Sequence, residues 1–296
     1  MSESLQPGYD RGDNDWELQY GTLINVKHRW EVYRYSELPD IHEAIINKLV
    51  DRNQLKPGDS VLDVGCSDGH LLRNLRLQRQ HQGALCGIDP WPDQFWTTQY
   101  YLSELAKEGH EIEPIVFMRG EAQDLYPLPD NSQDVLLALF VLYHLPKDEQ
   151  PLALAEFKRV LKPGGRLVVA TSGKDNKLKH RYFERRIAAE LGVEPPPLMN
   201  QNFDSDEAKK ILPRYFSDVE HTAHHGHLKF NKQNYMVYIQ SLLTMASEFR
   251  PAQSSNSLNP AIEKIVKPQI EAEIEEKGNF IDTQERDYFI CTNDKD

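Results

Sequence analysis

Ser60-Val-Leu-Asp-Val-Gly-Cys-Ser-Asp-Gly-His-Leu-Leu72 reads as a buried strand, a glycine turn and the opening of a helix. Val61, Leu62 and Val64 form a short apolar run with two β-branched members, set off upstream by Pro57-Gly58-Asp59. Gly65 lets the chain leave the strand sharply. Gly69 lets the following helix pack close and lets a ligand approach bare backbone. Leu71, Leu72 and Leu75 then recur at helical spacing, with Arg73, Asn74 and Arg76 outward. A helix beginning here aims its free N–H groups and positive dipole end at whatever lies over the turn. A dinucleotide fold wants G-x-G-x-x-G, whereas the frame here is Gly65-x-Ser67-x-Gly69. Asp63, two residues before Gly65, would repel a pyrophosphate and suits a cationic amino-acid group.

Downstream, Ala84 to Asp89 is a second apolar strand ending in a carboxylate, followed by Pro90. Asp89 lies 20 residues past Gly69, the spacing at which an acid reaches a ribose diol from the neighbouring strand end. A helix is expected within 91–109, a third strand at Ile115–Met118, and a polar turn at Arg119 to Leu125. Asp134 to Phe140 is apolar enough for a central parallel strand. It runs into Tyr143-His144, and Pro146 then breaks the chain. Asp148–Leu161 reads as a helix with Leu152, Ala155 and Leu161 inward, and Leu161-Lys-Pro-Gly-Gly165 as a turn before a fifth strand, Arg166–Ala170.

These motifs, in this order, resemble the class I S-adenosylmethionine-dependent methyltransferases, and within them the methyltransferase-11-like branch. The likeness runs over about residues 40–172 and departs from the family's D-x-G-x-G-x-G at Ser67. It implies an α/β, Rossmann-like fold: a seven-stranded, mostly parallel sheet with the last strand antiparallel and helices on both faces. It also implies S-adenosyl-L-methionine as cofactor, held by Asp63, Gly65, Cys66, Ser67, Gly69, Asp89, Pro90 and Phe140. Glu121 and Ala122 match the family's adenine-binding turn, although Gln123 and Asp124 could instead cap it. Tyr143 and His144 match its aromatic-then-histidine step; His144 is a candidate base, an acceptor-positioning group or a packing residue.

Past Thr171 the likeness thins. Helices are expected at Lys177–Leu191, with Tyr182, Ile187, Ala188 and Leu191 on the apolar side, then at Asp204–Leu212, Asn231–Phe249 and Pro260–Lys277. A sixth strand is expected near Asp218–Phe230 and a last one at Phe280–Cys291. The family joins its last two strands by a hairpin, and here about fifty residues separate them. A sixth strand parallel to the others ends at the cofactor edge, so insertions there overhang the site. The division expected is an N-terminal flap 1–40, a cofactor-binding core 41–172, a lid insertion 173–203, core again 204–228, a helical lid 229–278, and core with tail 279–296. A dimer surface is the other use for such helices. Tyr20, His28, His180, Arg181, His225 and His227 are candidates for the substrate pocket.

The net charge of −12 disfavours nucleic acid, no stretch approaches a membrane span, and three scattered cysteines disfavour a disulfide framework. His221, His224, His225 and His227 lack the partners of a familiar metal site, so no metal is expected. The expectation is a cytoplasmic monomer or homodimer that methylates O, N or C of a small molecule. That molecule is anionic if Lys174, Lys177, Lys179, His180 and Arg181 face it. A tRNA-modifying enzyme and a non-catalytic cofactor-binding regulatory protein are the alternatives.

Overall fold

The computed structural model describes residues 30–91, 95–195, 201–243 and 260–294. Tyr20 and His28, with most of the expected flap, lie outside the described residues. So do Pro196, Pro197 and the part of the expected Asn231–Phe249 helix beyond residue 243.

Seven strands form one sheet: β1 (Val61–Val64), β2 (Leu85–Asp89), β3 (Ile115–Arg119), β4 (Gln133–Leu139), β5 (Leu161–Ser172), β6 (Ser217–Phe230) and β7 (Phe280–Thr292). Their order is β3-β2-β1-β4-β5-β7-β6. The first five pair in parallel, and β7 inserts antiparallel between β5 and β6. The last strand is thus the antiparallel one, as expected, and β6 runs with the first five. β5 reaches back through the Leu161 to Gly165 segment, with a register shift opposite Gln133 and Val135.

Period-two alternation splits the core. Leu62, Val64, Leu136, Ala138, Leu167 and Val169 face one side, against Ala153, Leu154 and Phe157 of a helix, Gln150–Val160. Val61, Val135, Leu137 and Val168 face the other, against Ile41, Ile45 and Leu49 of Ile41–Asp51 and Leu71, Leu72 and Leu75 of His70–Gln78. The described α-helices are α1 (Ile41–Asp51), α2 (His70–Gln78), α3 (Trp96–Lys107), α4 (Gln150–Val160), α5 (Leu178–Leu191), α6 (Ser205–Ile211), α7 (Tyr235–Leu243) and α8 (Lys267–Lys277). A π-helical turn, Ile262–Val266, leads into α8.

The phase expected for α4 is corrected. Leu152 and Ala155 are exposed, and Ala153, Leu154, Phe157 and Val160 are buried. Phe157 sets the inward stripe, and its i−4, i−3 and i+3 neighbours follow it. Tyr182 likewise faces out of α5, while Phe183 faces in.

A third core sits beyond the β6–β7 corner. Phe183 and Ile187 of α5, Tyr238 and Leu242 of α7, and Ile262, Val266 and Ile270 pack there on Val32, Leu228, Phe230 and Phe280. Phe230 ends β6 and Phe280 begins the antiparallel β7. The inserted helices therefore gather at the edge where the parallel strands have their carboxyl ends.

Candidate cofactor and acceptor site

Two glycines shape the turn after β1. Gly65 (φ +74°) and Gly69 (φ +72°) are left-handed, and a Cβ on them would lie 2.5 Å from Val141 Cγ2 and 2.4 Å from Phe117 Cζ. Between them Ser67 is left-handed too (φ 51°), a conformation that costs an L-residue about 1–2 kcal/mol. Its backbone N–H donates to Asp89 Oδ2 at 2.9 Å, and the Trp91 N–H donates to Asp89 Oδ1 at 2.9 Å. Each Asp89 oxygen keeps a further lone pair, which suits a diol. The Cys66 thiol is buried against Gly87, whose missing Cβ would lie 2.6 Å from it. Gly69 caps α2 without a capping side chain.

The turn is electronegative. Asp63 and Asp89 are buried on either side of it. Burial, reinforced by the neighbouring carboxylates Asp89 and Asp68 against the pull of His70, raises the Asp63 carboxyl to about 7. Burial raises Asp89 to about 6 against the two backbone N–H groups that favour its charge. Two desolvated carboxyls at one turn hold protons more tightly than usual until a cation arrives. A phosphate would meet repulsion here, and an ammonium or sulfonium would meet compensation.

At the end of β3, Glu121 sits at the expected turn, where Gln123 donates to its Oε2 at 2.5 Å and to Glu149 Oε2 at 3.1 Å. Ala122 is buried beside it, and Asp124 Oδ1 accepts the Tyr126 N–H. Beyond β4, Phe140 adopts φ +62°, an outlier for a bulky residue of the kind that clusters at functional sites. A 3₁₀ turn, Leu142–His144, follows, with the Tyr143 and His144 rings 4.3 Å apart and both half-buried.

The structure adds residues that the sequence reading did not single out. Asp40 caps α1, accepting the N–H groups of His42 and Glu43 and contacting the His42 ring. His42 packs edge-on against His70 (5.4 Å) and Phe140 (6.3 Å), and Trp30 lies 5.4 Å from Phe140. Arg286 of β7 enters this cluster from the far side, its guanidinium carbon 4.3 Å from the centre of the Phe140 ring. An arginine in a strand flanked on both sides was the available signal for it.

The expected pocket residues beyond Thr171 make other contacts. His180 is buried in the third core, 3.1 Å from Glu184 Oε1 and 5.7 Å from the Tyr238 ring. Arg181 donates to the Lys174 carbonyl, and Lys179 holds both oxygens of Glu273 at 2.6 Å. His225 and His227 sit on the exposed edge strand, paired with Asp287 and Glu37 at 2.9 Å each. Lys177 reaches the cluster, its Nζ 4.8 Å from the Tyr33 ring. Among the described residues no group of three or more His, Cys, Asp or Glu could hold a metal ion, and no helix is long and apolar enough to cross a membrane.

Residues 62–169 match a family described as a methyltransferase domain. The chain is 28% identical over 162 residues to the 27-O-demethylrifamycin SV methyltransferase of Amycolatopsis mediterranei, covering 55% of this chain and 56% of that one. It is 32% identical over 180 residues to the demethylmenaquinone methyltransferase of Lactiplantibacillus plantarum, covering 60% and 64%. The phosphoethanolamine N-methyltransferase 2 of Haemonchus contortus, solved with S-adenosyl-L-methionine, superposes with a TM-score of 0.54 at 15% identity, over 94% of this chain and 58% of that one. That likeness is one of fold. The chain spans 32%, 44% and 56% of the length of the first three curated relatives it matches. With the strand order, the acid before the glycine turn and the carboxylate ending β2, these matches identify residues 62–169 as a class I S-adenosylmethionine-dependent methyltransferase domain.

Proposed function

We propose that the protein transfers a methyl group from S-adenosylmethionine to an O, N or C atom of a small molecule. The observation that carries this reading is the pair of buried carboxylates, Asp63 and Asp89, flanking a glycine turn at a helix N-terminus. The residues present fit the cofactor: the turn bares backbone, Asp89 has lone pairs free for a diol, and Asp63 favours a cation. S-adenosylmethionine, when bound, supplies an electrophilic methyl group. The chain's part is to hold, orient and keep dry.

Asp63 and the Gly65–Gly69 backbone hold the amino-acid end, Asp89 the ribose, and Glu121 with Ala122 the adenine. Phe140, Tyr143 and His144 close the carboxyl end of β4 and position the acceptor; such positioning is worth about 7–11 kcal/mol. His144 serves as base where the acceptor is a hydroxyl or an ammonium. The helices of the third core act as a lid over the acceptor end. A small-molecule acceptor agrees with the rifamycin and menaquinone names of the relatives and with the acidic charge.

Calorimetry with S-adenosylmethionine, S-adenosylhomocysteine and NAD tests the cofactor, and tritium transfer from S-adenosylmethionine into a metabolite extract tests catalysis. Binding of both sulfur ligands with label incorporation is expected. NAD binding without a response to either sulfur ligand would overturn the reading, and cofactor binding without label transfer would favour a regulatory role.

A further inference from the structure

Arg286 is 1% exposed, and among the described residues no carboxylate lies within ion-pairing distance of it. Its Nη2 is buried without a hydrogen-bond partner among those residues. The guanidinium is ringed instead by aromatic rings, its central carbon 4.1 Å from the centre of Tyr33, 4.3 Å from Phe140 and 4.9 Å from Trp30. Ring faces attract the charge but accept none of the five N–H donors in the way an oxygen does. Burying a charge costs several kcal/mol unless hydrogen bonds compensate it, roughly by the ion's own lost hydration.

The groups around Arg286 leave that cost uncovered. Asp40 is the carboxylate whose field reaches it, and Asp40 Oδ1 is engaged by the α1 cap and the His42 ring. His42 and His224 are depressed by burial first, opposed by their hydrogen bonds to Asp40 and to the Pro39 carbonyl. The Tyr33 phenol is pushed up by burial, yet Lys177 and Arg286 bring it below its ordinary value. Tyr143 also faces the guanidinium, and His70 packs against the His42 ring. The cluster holds more positive than negative charge wherever Asp40 is already engaged.

Its place in the sheet says which molecule answers it. Arg286 pairs with Ser172 at the carboxyl end of β5, level with the cofactor turn. Phe140, which touches it, precedes Val141, which abuts Gly65. β7 is three strand positions from β1, about 14 Å at the usual strand spacing. The amino-acid end of the cofactor belongs over β1 and β4, so the guanidinium lies on the acceptor's side of Phe140. On the methyltransferase reading, we propose that Arg286 is a specificity residue that binds a planar anionic oxygen of the methyl acceptor, a carboxylate or a deprotonated enol or phenol. Flat rings around the guanidinium favour a flat partner.

The test uses the full chain saturated with S-adenosylhomocysteine, with benzoate and 4-nitrophenolate as anionic probes and benzamide as the neutral counterpart. Thermal melts of the wild type should shift upward with at least one anion and not with benzamide. Arg286→Met should lose that shift, and Arg286→Lys should keep part of it. Without probes, Arg286→Met should melt at or above the wild type, because a lone buried charge has been replaced by apolar volume. Its affinity for S-adenosylhomocysteine should stay within about threefold, since the cofactor contacts lie across Phe140.

Equal shifts with benzamide, an undiminished shift in Arg286→Met, or no anion-dependent shift in the wild type would overturn the proposal. A loss of about tenfold or more in S-adenosylhomocysteine affinity on Arg286→Met would also overturn it, assigning the guanidinium to the cofactor's own carboxylate. If Arg286→Met fails to fold, the anion-against-amide contrast in the wild type and Arg286→Lys decides. If the wild type binds no S-adenosylhomocysteine at all, it is the methyltransferase reading that fails.

Discussion

Asp89 accepts the backbone N–H of Ser67 across 2.9 Å, joining the carboxylate at the end of β2 to the most strained residue of the glycine turn. The turn and the acid that ends β2 are therefore one mechanical unit. Glycine at 67 would release strain of about 1–2 kcal/mol, offset by the greater freedom of glycine in the unfolded chain. Ser67→Gly should accordingly leave Tm and cofactor affinity nearly unchanged. Ser67→Val, with a β-branched side chain at positive φ, should lower Tm and weaken S-adenosylhomocysteine by about tenfold or more. Melts and calorimetry on the pair check both directions.

Asp89→Ala should weaken S-adenosylhomocysteine by about ten- to a hundredfold, since charge-assisted hydrogen bonds contribute about 1.5–3 kcal/mol each. It should also lower the apo Tm, because the N–H groups of Ser67 and Trp91 lose their acceptor. Unchanged affinity by calorimetry would leave Asp89 as a turn residue only.

The raised carboxyls set a pH dependence. Asp63 and Asp89 titrate at about 7 and about 6 when folded, against about 3.9 unfolded. The folded chain holds these protons more tightly, so they contribute stability below pH about 4, and that contribution is lost as pH rises to about 7. Cofactor affinity runs the other way, because a cation and a diol want both groups ionised. S-adenosylhomocysteine should weaken as pH falls through about 7 to 6, and its binding at pH about 6 should release protons, read as a buffer-dependent enthalpy. Affinity flat from pH about 5 to 8 would contradict this assignment of the two acids.

Asp282 of β7 serves as the cap of a helix distant in sequence. Its Oδ1 accepts the Lys179 N–H at 2.8 Å, and its Oδ2 accepts the His180 N–H at 3.1 Å and the Tyr238 hydroxyl at 2.6 Å. Lys177, at the N-cap of α5, offers no capping side chain. Asp282→Ala should cost about 2–4 kcal/mol, as several buried donors lose a charged acceptor. Hydrogen exchange should locate the loss in 178–191 and 235–242, while β1 and α2 keep their protection.

Much of the sheet was legible because its signals are local. Val61 to Val64 followed by Gly65, and Leu85 to Asp89 followed by Pro90, carry strand and turn within a few residues of each other. The inward face of α4 was misread because Leu152 and Ala155 mimic an apolar stripe until Phe157 is given its weight. Arg286 and Asp282 were not legible as site or cap. Each acts on residues more than a hundred positions away, and no spacing rule connects an arginine in β7 to a phenylalanine after β4.

The central place of β7 also dictates an order of events during synthesis. Among the described strands β6 pairs with β7 alone, and β7 emerges about fifty residues after it. Until then β5 is an open edge and the long β6 segment has no ladder to join. The parallel half, with the cofactor turn, has all its strands by Ser172. The nascent chain can thus hold a formed glycine turn while Arg286, the anchor of α5 and the outer strand all await a single late insertion. Folding should show a fast phase for β1 to β5 and a slower one, paced by long-range closure, for everything β7 stitches together.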